Sequence, residues 1–304
     1  MNAPSAVSAV ADDLLAQPHG RTTLRLTALF LLATTRIFFA WHPISLLAAV
    51  MAVLMLLSPR VLVSRWAWAV VVAAVGYGLV ARWPASENNR FLDFYWLLAC
   101  CLAVGFPDDE AESLLARHGR LLIGLTFALA ATQKALRGEY WDGAFMHGLI
   151  LWDERFRSVA MTLGGLDAKD LLANTQLKNA LTAMPSAVES VTLITSDRLR
   201  AVALVLGYFV LTLEAAVGLS FLLPRPRWFA RYRHYLLFLF VLPTYLLAQV
   251  SHFGIVLAVM GFAQCPAERR RLRLAYVLVF VFLCFADFTG PLLVGSFFGG
   301  RVAG

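Results

Sequence analysis

The feature that most constrains the fold is a series of long apolar runs that recur from end to end of the chain. Many of them approach or exceed the roughly 17 residues that a membrane-spanning helix needs. Hydrophobic residues make up 60% of the 304 residues and charged residues only 15%, which is more apolar surface than a soluble domain of this size buries. The sequence therefore predicts an all-α integral membrane protein that crosses the bilayer many times.

The apolar runs predict a bundle of about eight or nine transmembrane helices. The candidate spans are residues 25–41, 43–58, 62–81, 91–106, 119–136, 199–223, 234–248, 250–264 and 274–296. The spans 234–248 and 250–264 could instead form a single tilted helix over 234–264. Two passes are favoured because they place the arginines at 269–273 on the same side as the other arginine-rich connections.

Arginine placement predicts a cytosolic N-terminal tail, residues 1–24, followed by one transmembrane domain, residues 25–304. Residues 137–198 form the only sizeable polar segment and are predicted to be amphipathic helices on the extracytoplasmic face. The tail lacks the pattern of a cleavable signal peptide. Preference for Arg over Lys, with abundant Ala and Leu, is typical of a bacterial protein, and we expect the bacterial inner membrane.

The formal charge of +7 does not predict nucleic-acid binding, because the arginines lie in the short connections that orient a membrane protein. The four cysteines form no CxxC pair, so neither a disulfide framework nor a zinc site is indicated. Metal, P-loop, nucleotide and Ser-His-Asp signatures are not found, and no metal cofactor is expected.

Four ionisable residues fall within the predicted spans: Arg36, Asp93, Lys134 and Glu214. Each costs about 2.5–3.5 kcal/mol at a helix centre, so such groups usually face a cavity or a partner. Glu214 is the deepest and should be protonated or matched to a base such as Lys134 or Arg36. We therefore predict an outward-opening polar cavity. Lys134 could instead snorkel to the interface, and Arg36 with Glu214 could be a purely structural pair.

Further polar residues fall on the same predicted side of the membrane: Asn88, Asn89, Trp141, Asp142 and His252. The asparagine pair could simply cap the helix that begins near residue 91. Trp141 could be an interfacial anchor. His252 could be a hydrogen-bonded residue of a tight turn rather than a catalyst.

Five stretches in order resemble the HTTM family, the horizontally transferred transmembrane domain, which includes the membrane part of vitamin K-dependent gamma-carboxylase. They cover about residues 22–266. In chain order they are LFLLATTRIFF, ENNRFLDFYWLLACCL, ATQKALRGEYWDGAFM, LTLEAAVGLSFLLPRPRW and VSHFGIVLAVMGFAQCP.

The resemblance implies quinol chemistry, in which the lysine of the third stretch deprotonates a vitamin K-type hydroquinone before CO2 adds to a glutamate side chain. Together with the polar residues above, it leads to a predicted site in which Lys134 and His252 are catalytic. The predicted substrate- or cofactor-binding residues are Arg36, Asn88, Asn89, Trp141, Asp142 and Glu214. A lysine acts as a base only where poor solvation lowers its pKa.

This chain departs from the family pattern at three motif positions. The family's histidine ahead of the FG segment has no match, since that offset lands near Thr244 and is flanked by His234 and His252. The family has two successive lysines with the second as the base, and here Lys134 is followed by Ala135. Arg90 replaces the histidine that follows the family's asparagine pair. These 304 residues also contain no counterpart of the carboxylase's large lumenal region, so glutamate carboxylation does not follow from the resemblance.

Two hypotheses follow. The first is a protein that binds a quinone or another lipid-like molecule in the outward cavity and acts on it, with an extracytoplasmic protein or peptide as a candidate substrate. The second is a non-catalytic scaffold or maturation factor that docks a partner through residues 137–198. A small-solute transporter is a third and weaker alternative, because no repeated halves are found.

Overall fold

Helices form all of the regular structure in the described part of the chain, which confirms the all-α prediction. The computed structural model describes residues 19–38, 43–83, 88–183, 192–247, 251–266 and 268–298. Its α-helices, in chain order, are α1 (His19–Phe38), α2 (Pro43–Leu57), α3 (Pro59–Leu62), α4 (Arg65–Ala81), α5 (Asn88–Ala103), α6 (Asp108–Leu136), α7 (Ala144–Trp152), α8 (Arg157–Thr162), α9 (Ala168–Ala183), α10 (Asp197–Leu222), α11 (Arg227–Leu247), α12 (Ser251–Ala263) and α13 (Arg270–Phe298). Short 3-10 turns at Gly138–Tyr140 and Glu154–Phe156 connect α6, α7 and α8.

Local sequence signals account for where α6 and α10 begin. Three acidic residues, 108–110, occupy the first turn of α6, where negative charge interacts favourably with the helix dipole. Ser196 is the N-cap of α10, and its Oγ accepts a hydrogen bond from Leu199 N at 3.0 Å. The same hydroxyl donates to Gly164 O at 2.6 Å, which ties the cap to the preceding segment.

The chain divides into two compact units. The first contains residues 1–123 and 250–304, and the second contains residues 124–249. The first unit therefore holds α1 to α5, the first half of α6, α12 and α13. The second holds the rest of α6 and α7 to α11.

In the first unit, α12 is apolar on every side and forms the centre of the core. All of its residues from Ile255 to Ala263 are buried, and it contacts α1, α5 and α13. Gly119 on α6 allows a close approach, because a Cβ there would lie only 2.9 Å from Met260 O. A helix that is hydrophobic all round belongs in such a position.

In the second unit, the helices between residues 137 and 198 pack against the start of α10 around a core of their own. Its buried members are Met146, Ile150, Leu151, Val159, Ala160, Leu166, Leu171, Leu199 and Ala203. This segment, predicted as helical from its polar and apolar mixture, is thus a packed substructure.

Two side chains fix the end of this segment to its helices. Asn174 is fully buried, donating to Ile194 O at 2.9 Å and accepting from Ile194 N at 2.8 Å. His147 Nε2 lies 2.6 Å from Thr195 Oγ1. The two contacts fix residues 194 and 195, the segment immediately before the Ser196 cap.

Helix α1 reaches into the predicted N-terminal tail, residues 1–24. It begins at His19, and His19, Thr22 and Leu24 are buried. The cytosolic placement of the tail stays a prediction. Thr23 Oγ1 donates to His19 O at 3.0 Å, so threonines in this stretch satisfy their hydroxyls within the helix. Residues 1–18 lie outside the described residues.

Two of the described helices, α6 and α10, are long and apolar enough to cross a membrane by length and composition. Shorter apolar helices cover 46–57, 65–81 and 252–263. The segments 227–247 and 251–263 are separate helices, as the two-pass interpretation expects. The larger number of spans stays a prediction.

Asn174→Ala is expected to destabilise the second unit. It leaves both the N–H and the C=O of Ile194 without their partner, at about 1–3 kcal/mol for a fully buried group and less here because Ile194 is 42% exposed. Thermal unfolding and limited proteolysis of residues 137–198 measure the effect. Asn179→Ala, an exposed position on the same helix, is the control and should change neither readout.

Stability should also depend on pH through His147. Burial, followed by the positive charge of Arg200, lowers the pKa of His147 below its ordinary value of 6.5. The unfolded chain therefore takes up the proton first, and stability is lost as pH falls through about 6.5. Thermal midpoints at neutral and mildly acidic pH should differ less in His147→Gln than in the wild type. An unchanged difference would contradict this assignment, and His118→Gln is the control.

Candidate functional site

Two glycines bring α6 and α10 into close antiparallel contact in the second unit. A Cβ at Gly124 would lie 2.7 Å from the Leu222 side chain, and one at Gly218 would lie 2.6 Å from Ala128 N. Residue 124 lies opposite residue 222, and residue 128 lies opposite residue 218, so both contacts belong to one antiparallel register. Small residues at a helix interface allow this approach. Continued along the helices, the register places residue 132 opposite Glu214.

This register brings Lys134, near the end of α6, to Glu214 on α10. Lys134 Nζ donates to Glu214 Oε1 in an ion pair. The Glu214 side chain is 7% exposed and that of Lys134 is 20% exposed. Glu214 Oε2 is buried and has no hydrogen-bond partner in the described part of the chain. The carboxylate therefore uses one oxygen for the ammonium and keeps the other unbonded.

Two tyrosines lie beside this pair. Lys134 Nζ is 5.8 Å from the centroid of the Tyr140 ring, which stacks on Phe145 with centroids 4.4 Å apart. Burial and then the negative charge of Glu214 raise the pKa of Tyr140 to about 12. Tyr245 on α11 is also buried and lies within electrostatic range of Glu214. The pair is thus flanked by aromatic rings with neutral hydroxyls.

The YWDG stretch that follows the lysine holds the end of α6. Trp141 Nε1 donates to Ala135 O at 2.8 Å, satisfying a carbonyl that the helix leaves unpaired. Tyr208 Oη donates to Trp141 O at 3.1 Å. Asp142 Oδ1 accepts from Ala144 N at 2.9 Å. These bonds involve the backbone, so cofactor binding by Trp141 and Asp142 stays a prediction.

Gly143 completes this turn and begins α7. Its φ of +77° lies in the left-handed region, which favours glycine. A Cβ there would also lie 3.0 Å from Leu204 Cα on α10. Glycine is required at this position both by the backbone conformation and by the close approach.

The geometry also bears on the one-residue offset from the HTTM pattern. Lys134 is partly buried and directed at Glu214, whereas Ala135 is exposed and bonded through its carbonyl to Trp141. Of these two neighbours, only Lys134 carries an ionisable group at the carboxylate. In this chain the residue of the two that meets the carboxylate is therefore Lys134.

A second buried acid–base pair lies within the first unit. His252 Nε2 is 2.6 Å from Asp93 Oδ2, and both side chains are 6% exposed. The His252 ring is also 5.4 Å from that of Phe30. His252 is the second residue of α12, so it lies in a helix rather than in the tight turn considered from the sequence. The pair joins α5 to α12.

The remaining candidates belong to helix ends. Asn88 and Asn89 occupy the first turn of α5 and do not precede a helix that starts near residue 91. Asn88 is exposed and Asn89 is half-buried. Arg36 falls within α1, but its side chain lies outside the described residues. A pairing of Arg36 with Glu214 therefore stays a prediction.

The structure brings together some predicted residues within each unit. Lys134 and Glu214 meet in the second unit, and His252 meets Asp93 in the first. A single cavity shared by all of these groups stays a prediction. Tyr140 and Tyr245 were not singled out from the sequence, because tyrosine is common at membrane interfaces and no spacing rule links 140 or 245 to 214.

Chemically, the Lys134–Glu214 pair can hold a proton at either group or bind an anionic oxygen with the ammonium. The described fold and site define an all-α protein with two apolar helices of membrane-spanning length and buried acid–base pairs. No protein-family model matches the chain, no curated protein matches it, and no solved structure is similar to it.

Removing one partner of the Lys134–Glu214 pair should destabilise the protein more than removing both. Glu214→Leu leaves the ammonium unpaired, at about 3–5 kcal/mol for a buried pair and less here because Lys134 is partly exposed. The double variant Lys134→Met/Glu214→Leu should recover most of the loss. Thermal unfolding of the four proteins in detergent gives the coupling. Additive losses would show that the two groups do not interact.

Proposed function

We propose that the chain is a polytopic membrane protein of the HTTM type that binds a hydroquinone at Lys134 and Glu214 and takes a proton from it. We place it, with about eight or nine spans and a cytosolic N-terminus, in a bacterial inner membrane. The cofactor is a vitamin K-type hydroquinone or another quinol. The observation that carries the proposal is the buried ion pair with one unbonded carboxylate oxygen.

Exposed apolar side chains support the membrane part of the proposal. On α10, Val205 is 67% exposed and Phe209 is 42% exposed, and on α4 Val80 is 74% exposed. On α6, Leu129 is 67% exposed. Soluble proteins rarely expose large contiguous apolar patches, whereas lipid-facing helices must. Such faces on several helices favour more spans than length alone identifies.

The arrangement supports a division of labour between the two groups. Lys134 Nζ already contacts one oxygen of Glu214, so it is placed to donate to an oxyanion that approaches the same carboxylate. Glu214 Oε2 is the oxygen placed to accept a proton. In our proposal Glu214 is therefore the base and Lys134 the cation.

A hydroquinone held here would supply an acidic O–H group. Glu214 Oε2 would accept its proton, with the O–H electron pair left on the hydroquinone oxygen. The Lys134 ammonium, having lost the neutralised carboxyl as its counter-ion, would then pair with that oxygen. No oxidant would be consumed, and the total charge of the site would be unchanged.

The surroundings fit a ring-shaped phenol. The Tyr140 ring already lies 5.8 Å from Lys134 Nζ, and Tyr245 provides a second buried hydroxyl near Glu214. Neutral tyrosine hydroxyls can donate hydrogen bonds to a developing phenolate without competing for its charge. An apolar quinol also partitions into the bilayer that surrounds the bundle.

The other predicted groups have supporting roles in this proposal. Arg36, Asn88 and Asn89 would contribute hydrogen bonds at the outer end, and Trp141 with Asp142 would shape the entrance. His252, held by Asp93, would be a second acid–base group. Any further reaction, including a carboxylase-related one, would follow this deprotonation of the hydroquinone.

A scaffold role through residues 137–198 is the second candidate. It is favoured by exposed apolar residues on these packed helices, with Leu172 at 58% and Leu163 and Ile194 both at 42%. A partner protein could cover them. This function requires the outer helices and makes no use of an unbonded Glu214 oxygen.

The test is an anaerobic titration of the purified full-length protein with reduced menadione, a naphthohydroquinone. The wild type should bind it and show the ultraviolet absorbance of the phenolate at neutral pH. Lys134→Met should weaken binding about 10- to 100-fold, the loss expected for a charge-assisted contact. Glu214→Gln should retain more binding and lose the phenolate absorbance.

The matched control is Lys169→Met, which removes one of the other two lysines at an exposed position. It should behave as the wild type. If Lys134→Met and Glu214→Gln bind and ionise the hydroquinone as the wild type does, the chemistry is not at this pair, and the scaffold function is favoured.

A further inference from the structure

We infer that the start of α11 is a binding site for a phospholipid with an anionic head group. The inference rests on the membrane placement proposed above and is independent of the chemistry at Lys134. It concerns a different surface of the second unit, residues 225–242.

The head-group end of this surface is strongly basic. Arg225, Pro226 and Arg227 line an open concavity of about 680 Å³. Both arginines are exposed, as is Arg231 one turn further along α11. The sequence contains no acidic residue between Glu214 and Glu268, so this stretch of the chain carries only positive charge. Guanidinium groups bind phosphate oxygens in a bidentate manner.

The helix itself adds to the attraction. Pro226 immediately precedes α11, and the carbonyl of Pro226 accepts from Phe229 N at 3.1 Å. The concavity therefore lies at the N-terminal end of a 21-residue helix, where the helix dipole is positive. Arginine side chains and the helix terminus both favour an anionic group at this point.

An exposed apolar stripe runs along α11 away from the arginines. Its residues are spaced by three or four and so share one face of the helix. They are Trp228 (63% exposed), Tyr232 (50%), Tyr235 (65%), Leu239 (51%) and Leu242 (37%). The opposite face is buried at Leu237, Phe240 and Val241, so the stripe is a surface and not part of the core.

The length and order of the stripe match one membrane leaflet. Fourteen residues separate Trp228 from Leu242, which is about 21 Å along the helix axis. Half of a bilayer, with its head groups, is about 20–22 Å thick. The order along this length is arginine, then aromatic, then aliphatic, as in the head, interface and tail of a lipid.

This order selects a lipid over a soluble anion. A free phosphate would contact only the arginines and would not reach the apolar stripe that continues from them along α11. An anionic phospholipid contacts both parts at once, with its phosphate at Arg225 and Arg227 and its acyl chain along the leucines. Tyr232 and Tyr235 would lie at the depth where amphipathic rings are enriched.

The experiment uses the full-length protein reconstituted in an equal mixture of phosphatidylglycerol and phosphatidylcholine, then released for native mass spectrometry. The wild type should retain phosphatidylglycerol in preference to phosphatidylcholine, and less of it at high salt. Arg225→Gln/Arg227→Gln should raise the dissociation constant for phosphatidylglycerol about 10- to 30-fold. Arg225→Lys/Arg227→Lys, which keeps the charge, should give a smaller loss.

The matched control is Arg198→Gln/Arg200→Gln, which removes the same charge from two exposed positions in the first turn of α10. It should retain the lipid as the wild type does. Equal retention of the two lipids by the wild type, or equal losses in the two glutamine variants, would overturn the inference. So would complete displacement of the lipid by inorganic phosphate alone. Failure of the hydroquinone titration would leave these results unchanged.

Discussion

The structure depends on the pairing of charge in an apolar environment. A carboxyl group as buried as Glu214 must be protonated or have a partner, and Lys134 provides the partner because α6 and α10 approach closely at Gly124 and Gly218. The same requirement explains the contact of Asp93 with His252 in the first unit. The positions of these acid–base pairs are thus a direct consequence of how the helices pack.

The turn after Lys134 shows how such a pair is held in place. A helix that ends in lipid or at a membrane surface has carbonyls with no partner, and the Trp141 indole satisfies one of them. Gly143 then reverses the chain and allows it to approach α10 at Leu204. Because the same short stretch ends one helix and begins the next, it restricts the position of the Lys134 side chain.

Much of this fold was accessible from the sequence, and the reasons are physical. Long apolar runs identify helices because a buried or lipid-facing backbone must satisfy its hydrogen bonds internally. A carboxylate in the middle of an apolar helix, such as Glu214, also predicts a basic partner. The sequence offered Lys134 and Arg36 equally, because periodicity does not reveal which helices are neighbours. The position of Tyr140 beside the ion pair and the pairing of Asp93 with His252 both depend on which helices are neighbours, so periodicity does not predict them.

The two interface glycines, Gly124 and Gly218, are positions at which no larger residue can be accommodated. At both positions the partner helix occupies the volume that any β-carbon would need. Side chains around the ion pair, such as Tyr140, are free of that restriction. The side chains beside the ion pair could therefore be exchanged during evolution without changing the helix packing, provided that residues 124 and 218 remain glycine.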